Sequence, residues 1–363
     1  MSSIWKNNLS LSIFGESHGP AIGTTLAGVP AGEHICLDTL QSFLARRAPG
    51  SFSWTTPRKE TDIPEFLSGV KNGKTTGTSI TAIIRNKNTR PADYDVIRDI
   101  PRPGHADYSA YVKYGGHADM SGGGHFSGRL TAALCIAGGI CKQILNRRGV
   151  TIGANIIMIG SAGPDIGGFG FTPEKADPKD LQALAEKDIP VFDDELRSKM
   201  IEEIERAKAD GDSVGGLIGC ISLGVPAGLG DPIFGGMENR VSGLVFGIPA
   251  VKGIDFGSGF GFSAMRGSEA NDEFFFDGDT VKTRTNCNGG IIGGITTGMP
   301  ILFRTVIKPT PSIALPQKSI DLRKTQPADL KIQGRHDPCI VPRAVPCVEA
   351  AAAIAIFDAM LLP

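Results

Sequence analysis

Five of the six histidines lie in glycine-containing loops. They are His18 in Gly15-Glu16-Ser17-His18-Gly19, His105 in Pro103-Gly104-His105-Ala106-Asp107, His117 after Gly115-Gly116, His125 in Gly122-Gly123-Gly124-His125-Phe126-Ser127-Gly128-Arg129, and His336 in Gly334-Arg335-His336-Asp337-Pro338. Imidazole changes charge near neutral pH, and an adjacent glycine lets backbone N–H groups reach a ligand. Any one such histidine is more often structural. The repetition points to acid–base chemistry on a bound ligand. Arginines fall in or near the same stretches: Arg46, Arg47, Arg102, Arg129 and Arg335. A guanidinium holds carboxylate or phosphate through a two-pronged fork, so a small ligand with several negative charges is expected. Taken singly, each arginine could equally be solvated at the surface.

Other local patterns narrow the chemistry. The triple glycine before Arg129 opens a helical stretch, where free N–H groups favour an anion. It lacks the Gly-Lys-Ser/Thr of a nucleoside-triphosphate loop. Gly257-Ser258-Gly259-Phe260-Gly261 has the wrong spacing for a dinucleotide fingerprint and reads as a loop. Gly15-Glu16-Ser17-His18-Gly19 formally matches a hydrolase nucleophile elbow with Ser17 as nucleophile. No helix pattern follows it, and Pro20 stands where one should start. Lys308-Pro309-Thr310-Pro311-Ser312 reads as a stiff loop presenting a cation. The glycine pairs around Ile291 and Ile292 suit close packing against a flat ring.

These residues need elements to position them. Residues 9–14 alternate like a half-buried strand, and 78–85, 150–159, 215–223 and 301–307 are strand-like. Residues 38–47 read as a short helix capped by Asp38 and stopped by Pro49-Gly50. Residues 127–148, with Ser127 as cap, and 346–361, with Pro346 in the first turn, are apolar on most faces and are expected to be buried helices. Residues 178–186 read as a helix capped by Asp177. Residues 194–209 form an outer amphipathic helix with Leu196, Met200, Ile204 and Ala207 as its stripe. Its expected i,i+4 pairs are Glu195/Lys199 and Glu202/Arg206. Residues 86–124 read as a long functional loop. Two apolar helices among strands imply helices covered on more than one side, for example between sheets.

Composition bounds the partners. Lys and Arg number 37 against 38 Asp and Glu, a formal charge of −1, which argues against a generally basic nucleic-acid binder. Glycine, at 48 of 363 residues, is about twice its usual share. The seven cysteines form no C-x-x-C pair, which argues against structural zinc or a disulfide framework. The purest apolar run, residues 350–357, is far short of the roughly 20 residues that span a bilayer. No secretory signal is read at the N-terminus, so a cytoplasmic protein is expected.

Several stretches together resemble the chorismate synthase family. They are Gly15-Glu16-Ser17-His18-Gly19, Arg102-Pro103-Gly104-His105-Ala106-Asp107-Tyr108, Lys113-Tyr114-Gly115, Ala250-Val251-Lys252-Gly253, Arg266-Gly267-Ser268, residues 289–294, Lys308-Pro309-Thr310, Gly334-Arg335-His336-Asp337-Pro338 and Arg343-Ala344-Val345-Pro346. They follow the family's order from residue 15 to 346. The resemblance implies an α+β fold: a β-α-β sandwich with long buried helices between antiparallel sheets, one large domain over residues 1–363. It implies a lyase of the shikimate pathway, in aromatic amino acid biosynthesis. That enzyme removes phosphate from 5-enolpyruvylshikimate 3-phosphate by 1,4-elimination to give chorismate. It implies a requirement for reduced FMN without net redox change, and a homotetramer. No metal, nucleic acid or membrane enters. NADPH is the reductant in view, with Arg47 as its contact, although no dinucleotide motif supports it.

Carried over residue by residue, the resemblance makes His18, Ser17, His105 and Asp337 catalytic. His18 would sit by the leaving phosphate as an acid, His105 would hold the flavin's protonation state, and Asp337 would accept a proton relayed through flavin N5. Arg46, Arg47, Arg129 and Arg335 would hold the substrate's anions. For FMN the matching positions are His125, Phe126, Ser127, Pro249, Ala250, Gly293, Lys308, Pro309, Thr310, Pro311, Ser312 and Arg335. Three positions depart from the pattern. His125 opens His-Phe-Ser-Gly-Arg where the family commonly has Arg-Ser-Ser-Ala-Arg, Pro249 replaces a more polar residue, and Ser53 stands where many members carry a basic one. The alternatives are a flavin-binding protein without the chemistry, and a serine hydrolase acting through Ser17.

Overall fold

The N-terminal alternation of apolar and polar residues folds into antiparallel strands. In the computed structural model, which describes residues 3–48, 61–87, 99–164, 177–332 and 337–361, one sheet runs in the order Ile4–Lys6, Ser10–Gly15, Ala21–Ala27, Ile80–Arg85, Glu65–Ser68. All its pairings are antiparallel. In Ile80–Arg85 the residues Ile80, Ala82 and Ile84 face inward, the period-two pattern of a sheet with one covered face.

A second antiparallel sheet runs Val251–Phe256, Ile301–Ile307, Gly216–Leu223, Thr151–Ile159. Its strands Thr151–Ile159 and Ile301–Ile307 are buried almost continuously, as strands covered on both faces must be, whereas the edge strand Val251–Phe256 is mostly half-buried.

Eight helices occur among the described residues: α1 (Leu37–Arg47), α2 (Asp107–Tyr114), α3 (Thr131–Arg147), α4 (Pro178–Ala185), α5 (Asp194–Ala209), α6 (Met237–Val245), α7 (Gly267–Ala270) and α8 (Val341–Ala359). In α8 every residue but Arg343 is buried. Helix α3 packs along α8 and touches the first sheet; α8 touches the second; α1 touches both helices. Gly138 permits the close approach, since a Cβ there would lie 2.2 Å from the Cβ of Ala350. Leu181 and Leu184 of α4 cover the outer face of the second sheet at Ile221 and Leu302. A main apolar cluster draws on both sheets and on α1, α3 and α8. The fold is α+β.

Most expected elements form, and the differences have physical reasons. Helix α1 starts one residue early, with Asp38 inside its first turn and Cys36 at the cap without a side-chain bond. Pro49 and Gly50 lie outside the described residues. Ser127 does cap, but it caps a 3-10 turn, Gly128–Leu130, that leads into α3. Asp177 caps α4 by accepting the N–H of Lys179 at 2.5 Å. In α5 the Glu195–Lys199 pair forms at 2.7 Å, whereas Arg206 pairs with Glu203. Pro342, not Pro346, occupies the first turn of α8, and Pro346 lies inside the helix. Helix α2 sits in the stretch expected to be loop.

Candidate active site

The loops at the start of α3 and α8 surround a cavity of about 970 Å³. One wall is apolar: Leu11, Ile13, Leu134, Leu244 and Ile248. The same cavity is lined by Arg47, Arg102, Arg129, Lys252, Lys308 and Arg343, with Asp337 the one carboxylate among the described lining residues. This is the upper end of ligand-pocket size. Apolar side chains and a cation cluster lining one cavity fit a flat ring system carrying phosphate, beside a second anionic ligand.

The triple glycine brings the two expected catalytic histidines together. Gly122, Gly123 and Gly124 all have positive φ, 61°, 90° and 52°. A Cβ at Gly122 would lie 2.2 Å from the His18 ring, and one at Gly123 would lie 3.1 Å from Nε2 of His105. Only glycine lets the backbone pass between two imidazoles this closely. His18 stands behind cavity-lining Gly122, on the connection between Ser10–Gly15 and Ala21–Ala27, with Nδ1 3.2 Å from the Ser121 carbonyl. Ser17 is buried beside it, its N–H bonded to the Gly124 carbonyl at 3.1 Å. The connection runs strand–turn–strand, so the strand–turn–helix of a nucleophile elbow is absent. His105 lines the cavity, with Nδ1 2.6 Å from Asp107.

The arginines are held by buried carboxylates. Arg47 donates to Asp62 at 2.6 Å and through Nε to Thr131 at 3.1 Å; Arg129 donates to the other oxygen of Asp62. Asp62 has a φ of 47°. Burial raises its pKa, but Arg47 and Arg129 outweigh burial and hold it below the usual range. Arg343 donates to Asp337 and, through Nε, to the Arg47 carbonyl at 3.0 Å. Thr310 donates to the Asp337 carbonyl at 3.0 Å, and Lys308 donates to the Gly104 carbonyl.

The expected FMN residues His125, Phe126, Ser127, Pro249, Ala250, Lys308, Thr310, Pro311 and Ser312 all line this cavity. His125 uses both ring nitrogens within the protein: Nδ1–H donates to the Gly15 carbonyl at 2.8 Å, and Nε2 meets the Ser3 hydroxyl. Ala250 holds a φ of 72°, a strained value for a residue with a side chain.

Others fall elsewhere. Gly293 is exposed in the turn between Ile291–Ile292 and Ile295–Thr296 and does not line the cavity. Gly289 and Gly290 press against backbone at Gly257 and Pro300, not against a ring site. Pro309 is exposed beside the loop's lining residues. Arg46 points away from the cavity into a two-pronged contact with Glu349 at 2.7 and 2.9 Å. Arg335, His336 and Ser53 lie outside the described residues.

Sequence reasoning missed Asp62, which no motif marks, and gave no role to Asp107 or Arg343. Both of the latter carry a signal: Asp107 stands two residues after His105, and Arg343 in the first turn of the helix that follows Asp337.

The comparisons with known proteins point to one family. The family model described as chorismate synthase matches residues 9–361. The chain is 44% identical to a chorismate synthase of Lancefieldella parvula, over 99% of this chain and 96% of that protein. It is 45% identical to that of Thermococcus kodakarensis, over 97% and 96%. A solved structure titled a crystal structure of chorismate synthase superposes with a TM-score of 0.75 at 30% identity, covering 97% of this chain and 91% of the other. With a family match over residues 9–361 and relatives 44–45% identical over nearly the whole length, this chain belongs to the chorismate synthase family.

Proposed function

We propose that the cavity carries out the 1,4-elimination of phosphate from 5-enolpyruvylshikimate 3-phosphate to give chorismate, with reduced FMN bound against the apolar wall. The observation that carries this reading is the meeting of His18 and His105 across Gly122-Gly123, beside a wall of arginines.

A substrate with one phosphate and two carboxylates needs that many cations, and Arg47, Arg129 and Arg343 are held in fixed directions by Asp62 and Asp337. In the reaction a C–O bond to phosphate and a C–H bond at the far end of the allylic system both break, with no net oxidation. His18, its Nδ1 at the Ser121 carbonyl and its ring against Gly122, would give a proton to the departing phosphate. Asp337, steadied by Arg343, is the final acceptor of the carbon-bound proton. His105 presents its imidazole to the cavity. When bound, reduced FMN supplies electron density to the ring as phosphate leaves. Lys308, Thr310, Ser312, Ser127 and Ala250 would hold it, together with His125, Phe126, Pro249, Pro309 and Pro311; Arg335 is assigned on its motif alone.

The reading extends to a single domain over residues 1–363 with the helical layer between two sheets, supported by the contacts of α3 and α8. It extends also to a cytoplasmic homotetramer, in which exposed Gly293 would serve a neighbouring subunit's cavity.

The test is anaerobic turnover with FMN and dithionite. Release of phosphate with formation of chorismate is expected. Folded protein that binds flavin without releasing phosphate would overturn the reading in favour of a non-catalytic flavin protein.

A further inference from the structure

We propose that Asp107, paired with Arg102, is a positioning residue for His105: it fixes the ring with Nδ1–H turned inward and Nε2 turned toward the glycine turn and the cavity. This rests on the reading above, in which His105 works on what the cavity binds.

Asp107 opens α2, and its carboxylate is fully engaged. Oδ2 accepts the backbone N–H of Arg102 at 2.9 Å and its Nε at 2.8 Å, while Oδ1 accepts Arg102 Nη2 at 2.8 Å and His105 Nδ1 at 2.6 Å. An ionised carboxylate only accepts, so the hydrogen must be on Nδ1. Burial raises the Asp107 pKa, and the bonds from Arg102 and His105 more than reverse this, so it stays ionised. In a neutral ring Nε2 is then the basic nitrogen, and it faces Gly123.

The side chains of Arg102 and Asp107 are only 5% and 6% exposed, against 14% for His105. The ring therefore emerges from a buried ion pair into the cavity. Arg102 Nη2 lies 3.1 Å from Nδ1 and 3.3 Å from Nε2. Near-equal distances place it across the ring, not in line with either nitrogen. Arg102 Nη1 continues to Ser312 at 3.2 Å, and Lys308 reaches the Gly104 carbonyl. Two cations thus flank His105, and Asp107 is the carboxylate that balances them among the described residues. An ion pair serving the fold alone would have no need to spend one oxygen on the imidazole.

The first measurement needs no variant. In protein labelled with 15N-histidine, the His105 signal, assigned by its loss in His105→Gln, should show the neutral ring with hydrogen on Nδ1 and none on Nε2. A ring protonated at Nε2 overturns the proposal. The second is Asp107→Asn, which keeps the shape and removes the charge. The preference for hydrogen on Nδ1 should weaken in the nitrogen spectrum. The rate kcat should fall while KM changes less than about threefold, and Asp107→Glu should restore part of both kcat and the Nδ1 preference. An unchanged tautomer and kcat in folded Asp107→Asn also overturn the proposal. The NMR result stands apart from turnover: a confirmed dyad in a protein that releases no phosphate would count against the proposed reaction and not against the dyad.

Discussion

Arg46 and Arg47 are adjacent on α1 and serve different regions. Arg46 enters the helical layer, where Glu349 of α8 also takes Lys142 of α3. Arg47 turns to the cavity, where Asp62 and Thr131 hold it. Both clusters are buried ion networks. The layer cluster sets two cations, Arg46 and Lys142, on the one carboxylate Glu349, and no residue of α1, α3 or α8 has a positive φ. The cavity is lined by six cations against Asp337 among the described residues, and it has strained neighbours, Asp62 at 47° and Ala250 at 72°. A small network enclosed among helices holds them together, whereas many cations lining a cavity over strained backbone are a site waiting for an anion.

The largest effect that could break this contrast lies in the cavity. His18→Ala and His105→Ala should each lower turnover by about 10²–10⁴-fold while the melting temperature barely moves. Near-normal rates would remove the acid–base assignments.

In the layer the expected loss is stability. Glu349→Gln should cost about 3–5 kcal/mol, because Arg46 and Lys142 are both left without their carboxylate, and Arg46→Gln should cost less, because Glu349 keeps Lys142. Urea unfolding measures it, and KM in the surviving folded protein should stay within about twofold; a large rise in KM for Arg46→Gln would return that residue to the substrate site. Burial raises the Glu349 pKa, but Arg46 and Lys142 outweigh it and lower it to about 2 from 4.5. Its contribution to stability is therefore complete above about pH 4.5 and lost as the pH falls toward 2. Acid unfolding of Glu349→Gln should lack that component.

Arg47→Gln should raise KM about 10–100-fold, as for a lost hydrogen bond to a charged group worth about 1.5–3 kcal/mol. Steady-state kinetics under reducing conditions decides this, and equal KM values for the Arg46 and Arg47 variants would erase the contrast. The smallest effect is at Ala250. Replacing it by glycine should relieve about 1 kcal/mol of strain and raise the melting temperature slightly. A lower melting temperature would show that the strained angle is not stored at the cavity.

Which parts were legible follows from local physics. Helices α3 and α8 announce themselves because a helix apolar on all sides must be covered on all sides. The histidine loops are legible because adjacent glycine has few other purposes there. Helix α2 was hidden: Asp107 and Ala110 are its only buried residues, so no apolar stripe marks it. The start of α8 was misplaced because two prolines, Pro342 and Pro346, compete for the first turn, and an interior proline is costly enough to seem excluded. The two arginines looked equivalent because a doublet in text conceals the 100° turn between neighbours on a helix. Asp62 left no trace, since its partners Arg47 and Arg129 are far from it in sequence.

Helix α8 joins these regions end to end. It carries Arg343 at the cavity and Glu349 in the layer, and near its far end Asp358 accepts the Leu9 N–H at 2.6 Å and Arg240 at 2.5 Å. A rod buried along its length has no local route by which solvent can reach its amides, so their deuterium uptake should require opening of the whole molecule. The guanidinium that steadies Asp337 is thereby mounted on a helix expected to exchange slowly, and the aim of that group should persist for as long as the protein remains folded.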